Sequence, residues 1–199
     1  TSLTILQTIV WLSLTIFLTI PTEAVPLKSA RVTDLHNEVN LAKSTGEKQA
    51  AVVDDVVSGS DAIQTGKKSR AEIEFSDKSI ARLGSNTLFS FDPQSREMKL
   101  DRGIALIHVP PGVDGARIST PAATAAIQGD VVAIRAMGNL TQIVALSRDE
   151  RGPITVTHPR TKETRQLRAG QMLSIAANAL TLPQPVFINV EAFVRSSML

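Results

Sequence analysis

Cysteine and tyrosine are absent from the 199 residues, tryptophan occurs once (Trp11) and histidine three times. Without cysteine there are no disulfides, no thiolate metal sites, no thiol nucleophile and no lipid-bearing cysteine. His36, His108 and His158 lie far apart and lack the i, i+4 spacing of a helical metal pair. The formal net charge is only +2, so no broad basic field is available to hold nucleic acid by its phosphates. Aromatic residues make up 4%, too few for a base- or sugar-stacking platform. No Gly-x-Ser-x-Gly elbow occurs. Gly59 to Ser69 resembles a phosphate-binding loop only faintly. Six residues, not four, separate Gly59 from Gly66, and Lys67 and Lys68 read as a solvated turn. The acidic pairs Asp54-Asp55 and Asp149-Glu150 are adjacent in sequence. On strands such neighbours point to opposite faces, so neither forms an acid/base pair alone. These absences lead to the expectation of a non-enzymatic protein with no cofactor and no metal.

What is present begins with an apolar run, Leu3 to Ile20, that contains no charge. Pro21 ends it and Thr22-Glu23-Ala24 precedes Val25, the pattern of a signal-peptide cleavage site. Cleavage is expected between Ala24 and Val25. The alternative is an uncleaved anchor, since 18 residues just reach spanning length. Membrane contact is then expected only through residues 3–20. Either way the remaining chain is expected outside the cytoplasm. Removal of residues 1–24 also removes Trp11. The remainder is long enough for a core, with 43% apolar and 20% charged residues overall.

Beyond Val25 the chain reads as short strands. Arg70, Glu72 and Glu74 alternate with Ala71, Ile73 and Phe75, the period-two pattern of a half-buried strand. Ile80 to Leu83 follows as its hairpin partner, with a two-residue type I′ turn expected at Asp77-Lys78 and positive φ at both. Thr87 to Phe91 is a further strand. Met98 to Leu100 and Ile104 to Val109 flank Asp101-Arg102-Gly103, an expected third hairpin. Earlier strands are expected at Val32–Leu35, Val39–Leu41, Ala51–Val57 and Ala62–Gln64. Later ones are expected at Ala116–Ser119, Val131–Ala136, Thr141–Leu146, Ile154–Thr157, Thr164–Leu167 and Met172–Ile175. Ala122–Ile127 is read as extended, because six residues between Pro121 and Gly129 are too few for a helix. Phe75, Phe89 and Phe91 are expected in the core, and the histidines as ordinary surface or strand residues. Turn signals about every ten residues predict an all-β roll, solenoid or sandwich of short antiparallel strands. The domain is expected over 25–182, and 183–199 as a tail that either adds an edge strand at Val186–Val190 or is mobile.

An ordered set of residues then carries a resemblance. It runs through Thr65-Gly66, Asp77, Ser79, Leu83-Gly84, Asn86-Thr87 and Gly103, then Thr120-Pro121, Gly129 and Gly170. This set resembles the FecR domain, the extracytoplasmic β-rich module of bacterial iron-siderophore signalling regulators, over about residues 30–177. The chain departs from that pattern at Ser60-Asp61-Ala62, at Lys78 where the family favours glycine, and at Gly129-Asp130. The resemblance implies a stand-alone exported FecR-like protein, in a bacterial periplasm or cell envelope or anchored in the inner membrane facing the periplasm, that binds another protein or an envelope component. The alternative is the periplasmic sensor part of a regulator whose cytoplasmic anti-sigma part is not in this chain. The motif residues carry a structural expectation, with no catalytic role.

Overall fold

The computed structural model describes residues 27, 29–59, 61–146 and 154–197. The expected cleavage site Ala24–Val25, the apolar segment and the Asp149-Glu150 pair lie outside the described residues. Among those described, no helix is long and apolar enough to cross a membrane.

The architecture is all-β, with seventeen strands, most of them short, and one helix among the described residues. In chain order the first eight are β1 (Ala30–His36), β2 (Val39–Ala42), β3 (Lys48–Ala50), β4 (Val56–Val57), β5 (Ala62–Thr65), β6 (Arg70–Phe75), β7 (Ile80–Leu83) and β8 (Leu88–Asp92). The long β9 (Glu97–His108) follows, then β10 (Ala116–Ser119), β11 (Thr124–Ile127), β12 (Val131–Met137) and β13 (Leu140–Ala145). The last are β14 (Ile154–Thr157), β15 (Thr164–Leu167), β16 (Gln171–Ala176), β17 (Val186–Phe187) and the helix α1 (Val190–Ser197).

Two sheets share β9. The first runs β1-β6-β7-β9-β12-β13-β16-β17, with β4 also against β1. The second runs β3-β2-β5-β8-β9-β10-β11-β14-β15. All these pairings are antiparallel except β9 with β10. Side chains from both sheets meet in one core that includes Ile73, Phe75, Phe89, Phe91, Leu100, Ile107 and Ile118. Phe75 and Phe91 meet edge to face, with ring centroids 5.1 Å apart. The three phenylalanines expected in the core are there.

Four local expectations are corrected. Asp101-Arg102-Gly103 is no hairpin turn, because β9 runs through it. Phe89 pairs with Leu100 and Leu88 with Arg102, so Asp101 is an extra residue, a β-bulge. Gly103 takes φ +94°, and a Cβ there would overlap Thr87. Together the bulge and the glycine bend the strand from one sheet to the other. Met98 and Leu100 therefore face the core before the bend, and Ala105 and Ile107 after it.

The loop Ala51–Asp55 is not strand. Asp54 takes φ 74° and Asp55 Oδ2 accepts from Val52 N at 2.9 Å, so only Val56–Val57 pairs with β1. The β6–β7 hairpin has a three-residue loop, Ser76-Asp77-Lys78. Lys78 N donates to Phe75 O at 2.9 Å and Phe75 N donates to Ser79 O at 2.8 Å. Of the loop residues only Lys78 has positive φ, +70°, which is a turn closed by one left-handed residue and not type I′. The tail pairs with β16 through Val186 and Phe187 only and then turns into α1, where an edge strand to Val190 was expected.

Candidate functional site: the motif residues and the faces around them

The motif residues gather at three structural knots. The largest lies where β9 passes between the sheets. Thr65, 2% exposed, ends β5 and donates its hydroxyl to Gly84 O at 2.5 Å, while Thr87 N donates to Thr65 Oγ1 at 2.9 Å. Thr87 Oγ1 accepts from Ile104 N at 3.1 Å and donates to Gly84 O at 2.8 Å. Gly84 N reaches Ile104 O and Asn86 N reaches Gly66 O, both at 2.9 Å. Leu83 beside them is in the core. Two buried hydroxyls thus satisfy backbone groups that the bend at Gly103 withholds from the ladders. Asn86, at φ 54°, and Gly103 supply the left-handed conformations the knot needs.

The second knot is built on Asp77. Its Oδ1 accepts from Ser79 N at 2.8 Å, and its Oδ2 pairs with Arg96 Nη2 at 2.5 Å, both side chains nearly fully buried. Arg96 also donates to Asp114 O at 2.6 Å and Gly115 O at 2.9 Å. One guanidinium therefore ties three loops: 76–79, 93–96 and 110–115. Arg96 was missed in sequence; it sits in a turn at φ 54° and no spacing marks it.

The third knot is the β10–β11 turn. Thr120 N donates to Ala123 O and Ala123 N to Thr120 Oγ1, at 2.8 and 3.1 Å, and Thr141 Oγ1 on β13 donates to Thr120 Oγ1 at 3.3 Å. Pro121 caps the exposed tip. Gly129, at φ 70°, turns the chain into β12. Gly170, at φ 78°, turns it into β16 and accepts from Ile188 N at 3.0 Å.

The histidines are not brought together on one element. His36 ends β1 in solvent, and His108 ends β9. His158, read as a surface or strand residue, is 2% exposed. Its Nδ1 accepts from Arg160 N and Thr161 N, at 3.2 and 3.1 Å, and its Nε2–H donates to Ala179 O at 2.9 Å. The ring folds the β14–β15 turn onto the segment after β16. Among the described residues no three His, Cys, Asp or Glu side chains could hold a metal ion together. Gly66 to Ser69 is a plain β-turn between β5 and β6, without a helix behind it.

Three carboxylates carry lowered pKa values: Asp92 in a solvent-exposed turn, held down by the Gln94 amide and the Ser95 hydroxyl, and the ion-paired Asp61 and Glu72. Burial pushes Asp61 up, but hydrogen bonds from Lys43 Nζ at 3.0 Å and Ser58 N at 3.2 Å outweigh it and leave it below the usual range. Arg82 Nε, 2.6 Å from Glu72 Oε2, holds Glu72 down with help from the Thr33 hydroxyl. Both are ion-pair geometries of the framework. Glu72 and Arg82 also line a cavity of about 360 Å³ with Asp34, Arg70, Leu106 and Val194, between the outer face of the first sheet and α1.

Residues 61–147 match the family model for FecR protein. That span contains the first two knots and the Thr120 turn, and it covers the densest part of the resemblance noted in the sequence. Two crystal structures of "a putative anti-sigma factor" from Parabacteroides distasonis, at 1.65 and 2.50 Å, share the fold. The first has a TM-score of 0.54 and the second 0.52, each at 14% identity over 67% of this chain. The matched part spans 64% and 63% of those chains. No curated protein matches the chain. The molecule thus has an all-β fold, and its residues 61–147 are similar to the FecR family.

Proposed function

We propose that this is an exported, non-enzymatic FecR-like module that binds a protein or an envelope component in the bacterial periplasm. The observation that carries the reading is the use made of the motif residues. Thr65, Gly84, Thr87, Asp77 and Thr120 spend their polar groups on backbone and loop contacts within the framework. The sheet faces and edges are then the surfaces on which the molecule can act. The apolar segment Leu3 to Ile20 supplies the route out of the cytoplasm.

Expression of the whole chain with a C-terminal tag, followed by osmotic-shock fractionation and crosslinking, tests this. The expected result is a periplasmic or envelope fraction with one crosslinked partner that an unrelated exported β protein does not capture. A cytoplasmic location, or no specific partner, would overturn it. A second reading is favoured by the anti-sigma neighbours, whose chains extend beyond the matched 63–64%. In it this chain is the sensor part of a transmembrane regulator, and the coding sequence upstream of Thr1 distinguishes the two.

A further inference from the structure

The outer face of the first sheet carries apolar residues that do not belong to the core. On β12, Val132, Ile134 and Ala136 face the core, so Ala133 and Arg135 face outward. On β13, Thr141, Ile143 and Ala145 are the inner set and Val144 points outward. Ile104, Ala133 and Val144 are nonetheless 6%, 0% and 0% exposed, and all three lie outside the core cluster. Register places Ala133 and Val144 side by side, with Ile104 opposite Arg135 in the neighbouring row. Met172, Val144, Ala133 and Leu106 form one row across β16, β13, β12 and β9, and Arg82, Glu72 and Asp34 continue it over β7, β6 and β1.

The C-terminal helix lies beside the Leu106–Asp34 part of this row. From β17 at the sheet edge, only Ile188 and Asn189 lead into α1. Phe193 lies under the Arg135 guanidinium, 5.0 Å from carbon to ring centroid, and Val194 lines the cavity above Leu106, Glu72 and Arg82. Val190, Phe193 and Val194 share one helix face at i, i+3 and i+4. Eight residues are too few for a stable isolated helix, so α1 is helical because it is docked. It also fills its seat incompletely, leaving the cavity of about 360 Å³ beside Val194.

We propose that this stripe is a helix-binding groove, that α1 is its resident occupant, and that a partner protein's acidic amphipathic helix takes its place. The acidic character follows from the rim. Arg70 and Arg82 are balanced by Asp34 and Glu72, at 3.9 and 2.6 Å, and Arg102 and Arg135 around a second hollow lined by Met137 and Ser196 give the rim its positive excess. The only carboxylate α1 brings, Glu191, is paired with its own Arg195 at 3.1 Å. A longer helix with the same apolar triad and glutamates on its flanks gains both helix length and charge complementarity over α1. A second copy of this chain is the poorer occupant. The two-residue link to β17 would force a swapped α1 to pull β17 off β16 as well. The proposal rests on the protein-binding reading above and specifies its surface.

The test uses the full chain and a fluorescein-labelled acidic peptide. The peptide keeps the Val190, Phe193, Val194 spacing over four helical turns, with Glu at its flanks. In the wild type, hydrogen exchange of the 190–197 amides is expected to accelerate at least tenfold when the peptide is saturating. The F193A/V194A chain, its fold checked by circular dichroism, is expected to bind the peptide at least tenfold more tightly than the wild type. A peptide with Phe replaced by Ala is expected to bind neither. Unchanged exchange together with equal affinity for the two chains overturns the groove. A stable dimer of the variant makes a second copy the occupant and overturns the choice of partner. Failure of the groove and failure of the wider reading differ in outcome. If the peptide does not bind while the envelope partner is still captured, only the groove falls. If the peptide binds and no envelope partner exists, only the wider reading falls.

Discussion

At the scale of single residues, the motif is a set of solutions to one problem, how to bend a strand from one sheet into another without orphaning backbone groups. Thr65 and Thr87 answer it with hydroxyls and Gly103 with its missing Cβ. Asp77 and Arg96 answer a neighbouring problem, closing three loops with one buried charge pair. Removing one partner of such a pair strands the other charge away from water. Arg96→Ala is therefore expected to lower stability by about 3–5 kcal/mol, and Asp77→Asn combined with Arg96→Met by clearly less. Urea unfolding of the three chains decides it. Equal losses for the single and the double variant would mean that loop packing, not charge, holds the clasp. Asp77 was legible through the family resemblance. Arg96 was not, because an arginine in a polar turn looks the same whether it is solvated or clasped. His158 was misjudged for a similar reason: its burial depends on the segment ending at Leu182, which folds over it from 21 residues away.

At the scale of elements, strand periodicity located most of the sheet, and it failed where tertiary structure overrides alternation. Ala71, Ile73 and Phe75 face the core as their spacing demands. In β9 the inward set shifts from even to odd positions across the Asp101 bulge, and in sequence that phase change looks like a turn. The helix α1 left no clear signal, since eight residues have weak intrinsic helicity and the groove supplies the rest. Lys78 shows a partial success. It does take the left-handed conformation, while Asp77 is held at ordinary φ by its bonds to Ser79 and Arg96. Relief of the Cβ strain at Lys78 is about 1 kcal/mol. The added freedom of glycine in the unfolded chain removes part of it. The exposed Lys78–Glu74 pair at 2.6 Å contributes only a few tenths of a kcal/mol. Lys78→Gly is therefore still expected to stabilise the chain, by about 0.5 kcal/mol, read as a raised urea midpoint at constant slope. A lowered midpoint would show that the ion pair outweighs the backbone.

At the scale of the whole molecule, no disulfide supports the fold, so its stability rests on the shared core and on a few paired charges, and pH reaches the charges alone. Asp61 and Glu72 both have folded pKa values below their ordinary 3.8 and 4.5. A depressed carboxyl contributes stability that is fully present above its unfolded pKa and is lost as pH falls through the folded value. The chain is therefore expected to hold a constant urea midpoint from neutral pH down to about 5 on account of these two groups, and to lose stability progressively below that. Asp61 is the sharper probe. It is 5% exposed and holds Lys43 and the Ser58 amide at once, joining the β2–β3 turn to the start of β5. Asp61→Asn keeps the shape but removes the charge, and is expected to cost about 1 kcal/mol at pH 7. As pH falls through the lowered pKa of Asp61 the wild-type carboxyl itself loses its charge, so the two unfolding curves are expected to converge. The slope of midpoint against pH below 5 should also be shallower in the variant, because one of the proton-linked groups has gone. A gap that stays constant down the acid range would show that Asp61 acts through shape and hydrogen bonding alone. Acid loss of the fold would then be assigned to Glu72 and the remaining ion pairs.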